Sequence, residues 1–263
     1  DNFPQITAPG AIKATLNRTS QELRVIKQER DTLDLSARFP RIAGHSPAIL
    51  DIKDQIRAEI NEESSVLIVG ERGTGKQLIA EAIWEEHHKP LGAQFHQIDC
   101  SGIGDETFIS ELFGHEKGAF TGATTKKTGF IEQDPNGVIF LDEIGNLSLE
   151  NQSALLWYVQ DGKYRPLGSN QIKHGTNCII AATNVDVNNP VLFKNDLLDR
   201  FDIIVKTPAL RDHMEDFDLL LDYLVPNDLV LSESVRGELK KFSWPGNVRS
   251  LKKWLIPIIN RYG

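Results

Sequence analysis

Short apolar runs alternate with stretches of helical spacing along most of the chain. SVLIVG (65–70), QFHQID (94–99), GVIFLDE (137–143), NCIIAATN (177–184) and FDIIVKT (201–207) read as strands, the most apolar of them as strands buried on both faces. Between them the spacing is helical. Ser46-Pro47 opens a helix to about Asn61, with Ser at the N-cap and Pro at the first position, and Gln77–His87, Glu106–Phe113 and Leu149–Gln160 follow. KYRPLGSNQIKH (163–174) reads as a hairpin around Gly168-Ser169-Asn170. Strands alternating with helices predict an α/β fold, a parallel sheet with helices on both faces. After Pro208 the strand runs stop, and helical stretches at about 213–224, 232–242 and 247–260 predict a small helical domain. The expected division is a linker over 1–40, an α/β unit over 41–208 and the helical unit over 209–263.

The N-terminal part has its own pattern. Residues 1–10 look irregular, and Ile12, Leu16, Leu23, Ile26 and Leu33 then follow a 4-3 spacing, with Thr19 and Arg30 in the seam. That fits a short coiled coil or an amphipathic helix lying on its own domain. RFPRIAGHSP (38–47) breaks the helix.

Composition narrows the class. The 263 residues are enough for one large domain, or a large and a small one. A net charge of −8 argues against a self-sufficient nucleic-acid binder, which needs a basic face. Cys100 and Cys178 lie in apolar runs and read as free thiols in a reducing cytoplasm. No apolar stretch approaches the ~18 residues of a membrane span. The first residue is not Met, as expected of a piece of something longer.

GERGTGKQ, from Gly70 through Glu71, Arg72, Gly73, Thr74, Gly75 and Lys76 to Gln77, lies between a strand and a helix. There, glycines let backbone N–H groups turn toward phosphates, the helix N-terminus adds partial positive charge, and Lys76 reaches the outer phosphates. Gln77 brings no hydroxyl for Mg2+, so a hard oxygen must come from elsewhere. VIFLDE supplies it: Asp142 to hold the metal, Glu143 to polarise an attacking water, both at the carboxyl end of a strand where ligands of open α/β sheets sit. Thr183 and Asn184 end the next strand, within expected reach of a γ-phosphate.

With these motifs, ELFGHEKGAFTGA (111–123), GVIFLDEIGNL (137–147), AATN (181–184), LLDRFD (197–202), PALRD (208–212) and WPGNVRSL (244–251), the sequence resembles the AAA+ ATPase module of bacterial enhancer-binding proteins, the activators of sigma-54 RNA polymerase. The resemblance runs from about Arg41 to Ile259. It implies a P-loop AAA+ fold with a helical lid, and a cytoplasmic homo-oligomeric ring, usually a hexamer, hydrolysing ATP with Mg2+ between neighbours. It also implies that the loop Gly118, Ala119, Phe120, Thr121, Gly122, Ala123 engages sigma-54, with Phe120 an exposed anchor. The plainer reading is a Gly-rich turn with Phe120 tucked underneath. Ile42 and Gly44 match the adenine-pocket segment and Arg249 the lid's sensor arginine. Lys194 and Arg200 fall where the family has two trans-acting arginines, and a lysine lacks the guanidinium fork. Asp99 stands where the family has an asparagine that pairs with the catalytic glutamate. DNA binding is implied only through a domain outside this chain. The alternatives are a nucleotide-gated scaffold with weak hydrolysis and a remodeller of another client.

Overall fold

The computed structural model describes residues 31–226 and 229–262, apart from the side chain of Tyr262. Residues 31–38 (α1) are helical. The remaining elements are α2 (Pro47–Ala58), β1 (Val66–Val69), α3 (Lys76–Ile83), β2 (Phe95–Asp99), α4 (Asp105–Phe113), α5 (Phe130–Gln133), β3 (Val138–Asp142), α6 (Leu149–Asp161), β4 (Lys163–Tyr164), β5 (Lys173–His174), β6 (Cys178–Thr183), α7 (Asn195–Leu198), β7 (Ile203–Lys206), α8 (Phe217–Leu224), α9 (Glu233–Lys240) and α10 (Asn247–Tyr262). The sequence pattern anticipated all of these from α2 onward except α5 and α7, which are single turns too short to display a helical period. A π-turn over Trp84–His88 extends α3.

Five strands form a parallel sheet in the order β2-β3-β6-β1-β7. Strand periodicity divides its side chains between two cores. Leu67, Ile139, Leu141 and Ile179 pack on one face with Phe108, Leu112 and Leu155. Val66, Ile68, Phe140 and Ile180 pack on the other with Ile52, Ile56, Ile79 and Ile83. A third core joins Leu210, Phe217, Leu221, Trp244, Leu251 and Leu255 beneath the C-terminal helices. Ser46 and Ser148 cap α2 and α6 through their hydroxyls, accepting from Ile49 N (3.4 Å) and Asn151 N (3.2 Å).

β4 and β5 pair antiparallel, Lys163 with His174, as the expected hairpin. Of the residues with 4-3 spacing only Leu33 is described; it is 70% exposed, whereas Leu35 and Phe39 just after it are buried. The rest of the Ile12–Leu33 pattern lies outside the described residues. Among the described residues no helix is long and apolar enough to cross a membrane.

Candidate active site

Register brings the chemistry together at the carboxyl ends of the strands. Val69 pairs with Thr183, and Asp99 with Asp142. The chain leaves β1 through a loop in which Gly73 (φ +81°) and Gly75 (φ +92°) take left-handed conformations that glycine adopts without penalty. Gly75 then caps α3 with no side-chain acceptor, leaving the first-turn N–H groups of the helix for an anion. Thr74 donates its hydroxyl to the Glu71 carbonyl (2.9 Å) and lies 2.7 Å from the Thr207 hydroxyl. Lys76 is buried, with Nζ donating to the carbonyls of Gly70 (3.0 Å) and Glu71 (3.2 Å). Burial pulls its pKa below the usual lysine value, against the pull of Glu143 and Asp142.

Asp142 ends β3, its carboxyl pushed above the usual range by burial and by the neighbouring Glu143. Glu143 follows at φ +55°, a left-handed position rare for a residue with a side chain. Its carboxylate accepts from the Asn184 backbone N–H (3.0 Å) and the Asn184 side-chain amide (3.1 Å), and lies 3.6 Å from Lys76 Nζ. Two expectations change here. Asp99 is not the partner of Glu143: it is exposed and accepts from Ser101 N (2.8 Å), a local turn bond that holds it off. Thr183 does not face the phosphate side. It is fully buried, its hydroxyl accepts from Val185 N (3.3 Å), and it sits where Gly145 has no Cβ.

A cavity of about 490 Å³ separates this strand-end cluster from the C-terminal helices. Ile42, Gly73, Lys76, Asp142, Glu143 and Arg249 all line it, as do Thr74, Gly75 and Gln77. Gln77 donates to Glu81 (3.0 Å) and Gln97 (3.4 Å). Four residues expected at the nucleotide are not on its wall. Gly70 packs on Thr207, and Gly44 on Asp216 and Ile49. Glu71 turns outward to make a bidentate pair with Arg211 (2.9 and 2.5 Å), which holds its carboxyl down at about 2. Arg72 is exposed, and its carbonyl accepts from Asn247 Nδ2 (3.0 Å). Lys194 precedes α7, its N–H donating to Gln152 Oε1 (2.9 Å). Arg200 is exposed and lines a separate cavity of about 400 Å³ beside Ser65, Asp199 and Asp202. Neither faces the cavity at the P-loop of its own chain.

The loop from Gly118 to Ala123 folds back on itself. Gly118 N donates to Ala123 O (2.8 Å) and Ala123 N to Phe120 O (3.0 Å). Phe120 is half-buried, edge-on to the His115 ring with centroids 5.0 Å apart, so the expectation of an exposed anchor does not hold in this conformation. His115 is fixed in turn by Ser110 Oγ (2.8 Å) and the Thr125 carbonyl (3.0 Å).

Comparison with known proteins bears on this arrangement. Residues 42–206, more than half of the chain, match a family model described as the Sigma-54 interaction domain. This chain belongs to that family. The sigma-54 interaction domain is 38% identical over 227 residues to a Nif-specific regulatory protein of Azotobacter vinelandii, covering 81% of this chain and 43% of that protein. It is 34% identical over 257 residues to the DNA-binding transcriptional regulator NtrC of Azospirillum brasilense, covering 94% and 50%. The chain therefore spans about half the length of the curated relatives it matches. In fold it is similar to NtrX from Brucella abortus, with a TM-score of 0.73 at 22% identity, covering 98% of this chain and 59% of that one. The same NtrX has been solved in complex with ATP (TM-score 0.70, 24% identity, 95% and 55% covered). The family and the parallel sheet identify a P-loop AAA+ module of enhancer-binding transcriptional activators.

The residues of this sigma-54 interaction domain fit a nucleotide and a hard cation. The glycine loop and uncapped α3 suit phosphate, and a Cβ at Gly73 would fall 2.2 Å from Gly246 O, so that loop tolerates no bulk on its lid side. Among the described residues no group of three or more His, Cys, Asp or Glu forms a cation cage. Asp142 and Glu143 on the cavity wall are hard oxygen donors of the kind and number that Mg2+ takes, its shell being completed by phosphate oxygens and water. Sequence reasoning missed Asn247, Arg211 and the buried Lys53, whose Nζ donates to Gly44 O (2.9 Å). Asn247 lies inside WPGNVRSL, but nothing in a linear motif says that its amide reaches the P-loop.

Proposed function

We propose that this module hydrolyses Mg-ATP in a homo-oligomeric ring, a hexamer by analogy with its family, and remodels sigma-54 RNA polymerase through the Phe120 loop. The observation that carries the reading is one cavity walled by Lys76, Asp142, Glu143 and Arg249, in a chain whose family is defined by sigma-54 interaction. Lys76 and the α3 N-terminus would hold phosphate, and Asp142 would hold Mg2+. The metal supplies charge neutralisation on the phosphates when bound. Glu143 would take a proton from water, and Asn184 orients its carboxylate. Arg200 and Lys194, away from their own P-loop, would serve a neighbour's site. Phe120 stowed against His115 is the retracted position of a loop that would extend to a protein partner. Contact with DNA would come through a domain outside this chain.

The Asn184 clamp also suits a second reading, a nucleotide-gated scaffold with weak hydrolysis. Phosphate release by the purified chain separates the two. Glu143→Gln should keep nucleotide and lose turnover, and equal turnover in both proteins would remove Glu143 from the mechanism. Phe120→Ala should spare hydrolysis and abolish binding to sigma-54 in the presence of a transition-state nucleotide analogue. Retained binding would overturn the role of the loop.

A further inference from the structure

The side chain of Asn247 makes three bonds, and all of them leave its own helix. Nδ2 donates to Glu71 Oε2 (3.1 Å) and to the Arg72 carbonyl (3.0 Å), and Oδ1 accepts from Leu210 N (2.8 Å). The residue is fully buried and holds φ +52°. Left-handed backbone explains an asparagine or glycine at this turn. It does not explain an amide whose oxygen and nitrogen are both engaged, by the P-loop and by the start of the lid helices. Around it the two surfaces interlock. A Cβ on Gly73 would lie 2.8 Å from Arg249 Cβ. Arg211, next to Leu210, grips the same Glu71 that Asn247 touches.

We infer that Asn247 is a positioning residue for the nucleotide site, clasping the P-loop main chain from the lid and thereby fixing Arg249, two residues on, over the cavity. The inference rests on the proposed nucleotide reading. An amide that ties Arg72 O to Leu210 N makes P-loop and lid move together. Arg249 is carried on the first turn of α10, which Asn247 begins, so its reach into the cavity is set by the clasp.

The test uses Asn247→Gly, Asn247→Asp, Glu71→Gln and the double Glu71→Gln/Asn247→Asp in the whole chain. ADP affinity is measured by calorimetry, and melting midpoints without nucleotide. Gly keeps the left-handed backbone and removes only the amide, so ADP should bind roughly tenfold more weakly. Asp places a second carboxylate against Glu71 and should weaken ADP at least as much. Adding Glu71→Gln removes the like charge and supplies an amide donor to the new carboxylate but leaves the Arg72 carbonyl without a donor, so the double variant should bind better than Asn247→Asp and still more weakly than Glu71→Gln alone. Wild-type affinity in Asn247→Gly, or a double variant no better than Asn247→Asp, overturns the inference. If the unaltered protein takes up no ADP, the functional reading fails by itself. The clasp is then judged by the midpoints of the wild type, Glu71→Gln, Asn247→Asp and the double: non-additive shifts support it and additive shifts overturn it.

Discussion

Gly73 and Gly75 offer a controlled comparison, because they share backbone strain and differ in what faces them. Both have φ near +90°, at +81° and +92°. An alanine in either place incurs left-handed strain of about 1–2 kcal/mol. The two sites then part. A Cβ on Gly75 meets only Leu78 Cδ1 at 3.9 Å, ordinary contact. A Cβ on Gly73 meets Gly246 O at 2.2 Å, Arg249 Cβ at 2.8 Å and Arg249 N at 3.3 Å, mostly backbone that cannot rotate away. Relief requires the lid turn and the P-loop to separate by about an ångström, an overpacking cost of roughly 1–3 kcal/mol beyond the strain. With ~2 kcal/mol as the midpoint, and about 2–4 °C per kcal/mol for a chain of this size, Gly73→Ala should melt about 4–8 °C below Gly75→Ala. Scanning calorimetry of the two nucleotide-free variants measures the difference. Equal midpoints would show that the lid does not press on the P-loop, and the geometry of the cavity roof would have to be redrawn.

The Glu71–Arg211 pair predicts a pH dependence. Its carboxyl is held near 2 in the folded chain against an ordinary 4.5, so its contribution is complete above the ordinary value and is lost as pH falls toward 2. Glu71→Gln should therefore remove part of the acid destabilisation seen in melting curves below about pH 5 and leave the neutral slope alone; a parallel curve would deny the pair any role. Gly168, at φ +79°, lies where a Cβ would meet Ala119 Cβ at 2.7 Å. Gly168→Ala should loosen the Phe120 loop, raising hydrogen exchange over residues 115–125 without changing phosphate release, and unchanged exchange would mean that the hairpin does not hold the loop. Asn184→Ala should alter steady-state phosphate release severalfold, whereas Asp99→Asn should leave it within about threefold, since Asn184 bonds Glu143 and Asp99 bonds Ser101 instead. The reverse order would restore Asp99 as the partner.

What could be read from the sequence was local. The P-loop is a continuous stretch, and strand–glycine loop–helix is its own context, so Lys76 and Gln77 fall on the cavity wall as expected. The buried strands were visible because apolar runs flanked by turn residues need no long-range information. Contacts spanning many residues were not visible. Glu71 reads as part of a phosphate loop, yet its partner Arg211 lies 140 residues away and takes it out of the cavity. Phe120 reads as exposed because its neighbours are small. Its burial depends on His115, whose own position is set by Ser110 and by the Thr125 carbonyl. In each case the side chain had two physically reasonable destinations, and a residue from another segment decided between them.

Glu143 shows how that decision is made. β3 lies between β2 and β6, so a carboxylate just beyond its end has Asp99 on one flank and Asn184 on the other. Asp99 cannot hold a second carboxylate without a shared proton, and one of its two oxygens, Oδ1, accepts from Ser101 N. Asn184 offers two donors from one residue, its backbone and side-chain N–H groups, at 3.0 and 3.1 Å. The left-handed turn at Glu143 accompanies this orientation, and strain at such a position persists only where surrounding bonds over-determine it. Two charge-assisted bonds and Lys76 at 3.6 Å do so here. In this chain the amide that bonds Glu143 thus belongs to Asn184, just past the end of β6, while Asp99 on β2 stays apart. Strand β6 also pairs with β1, from which the P-loop leaves, so β6 alone lies between β1 and β3, the strand that Glu143 follows.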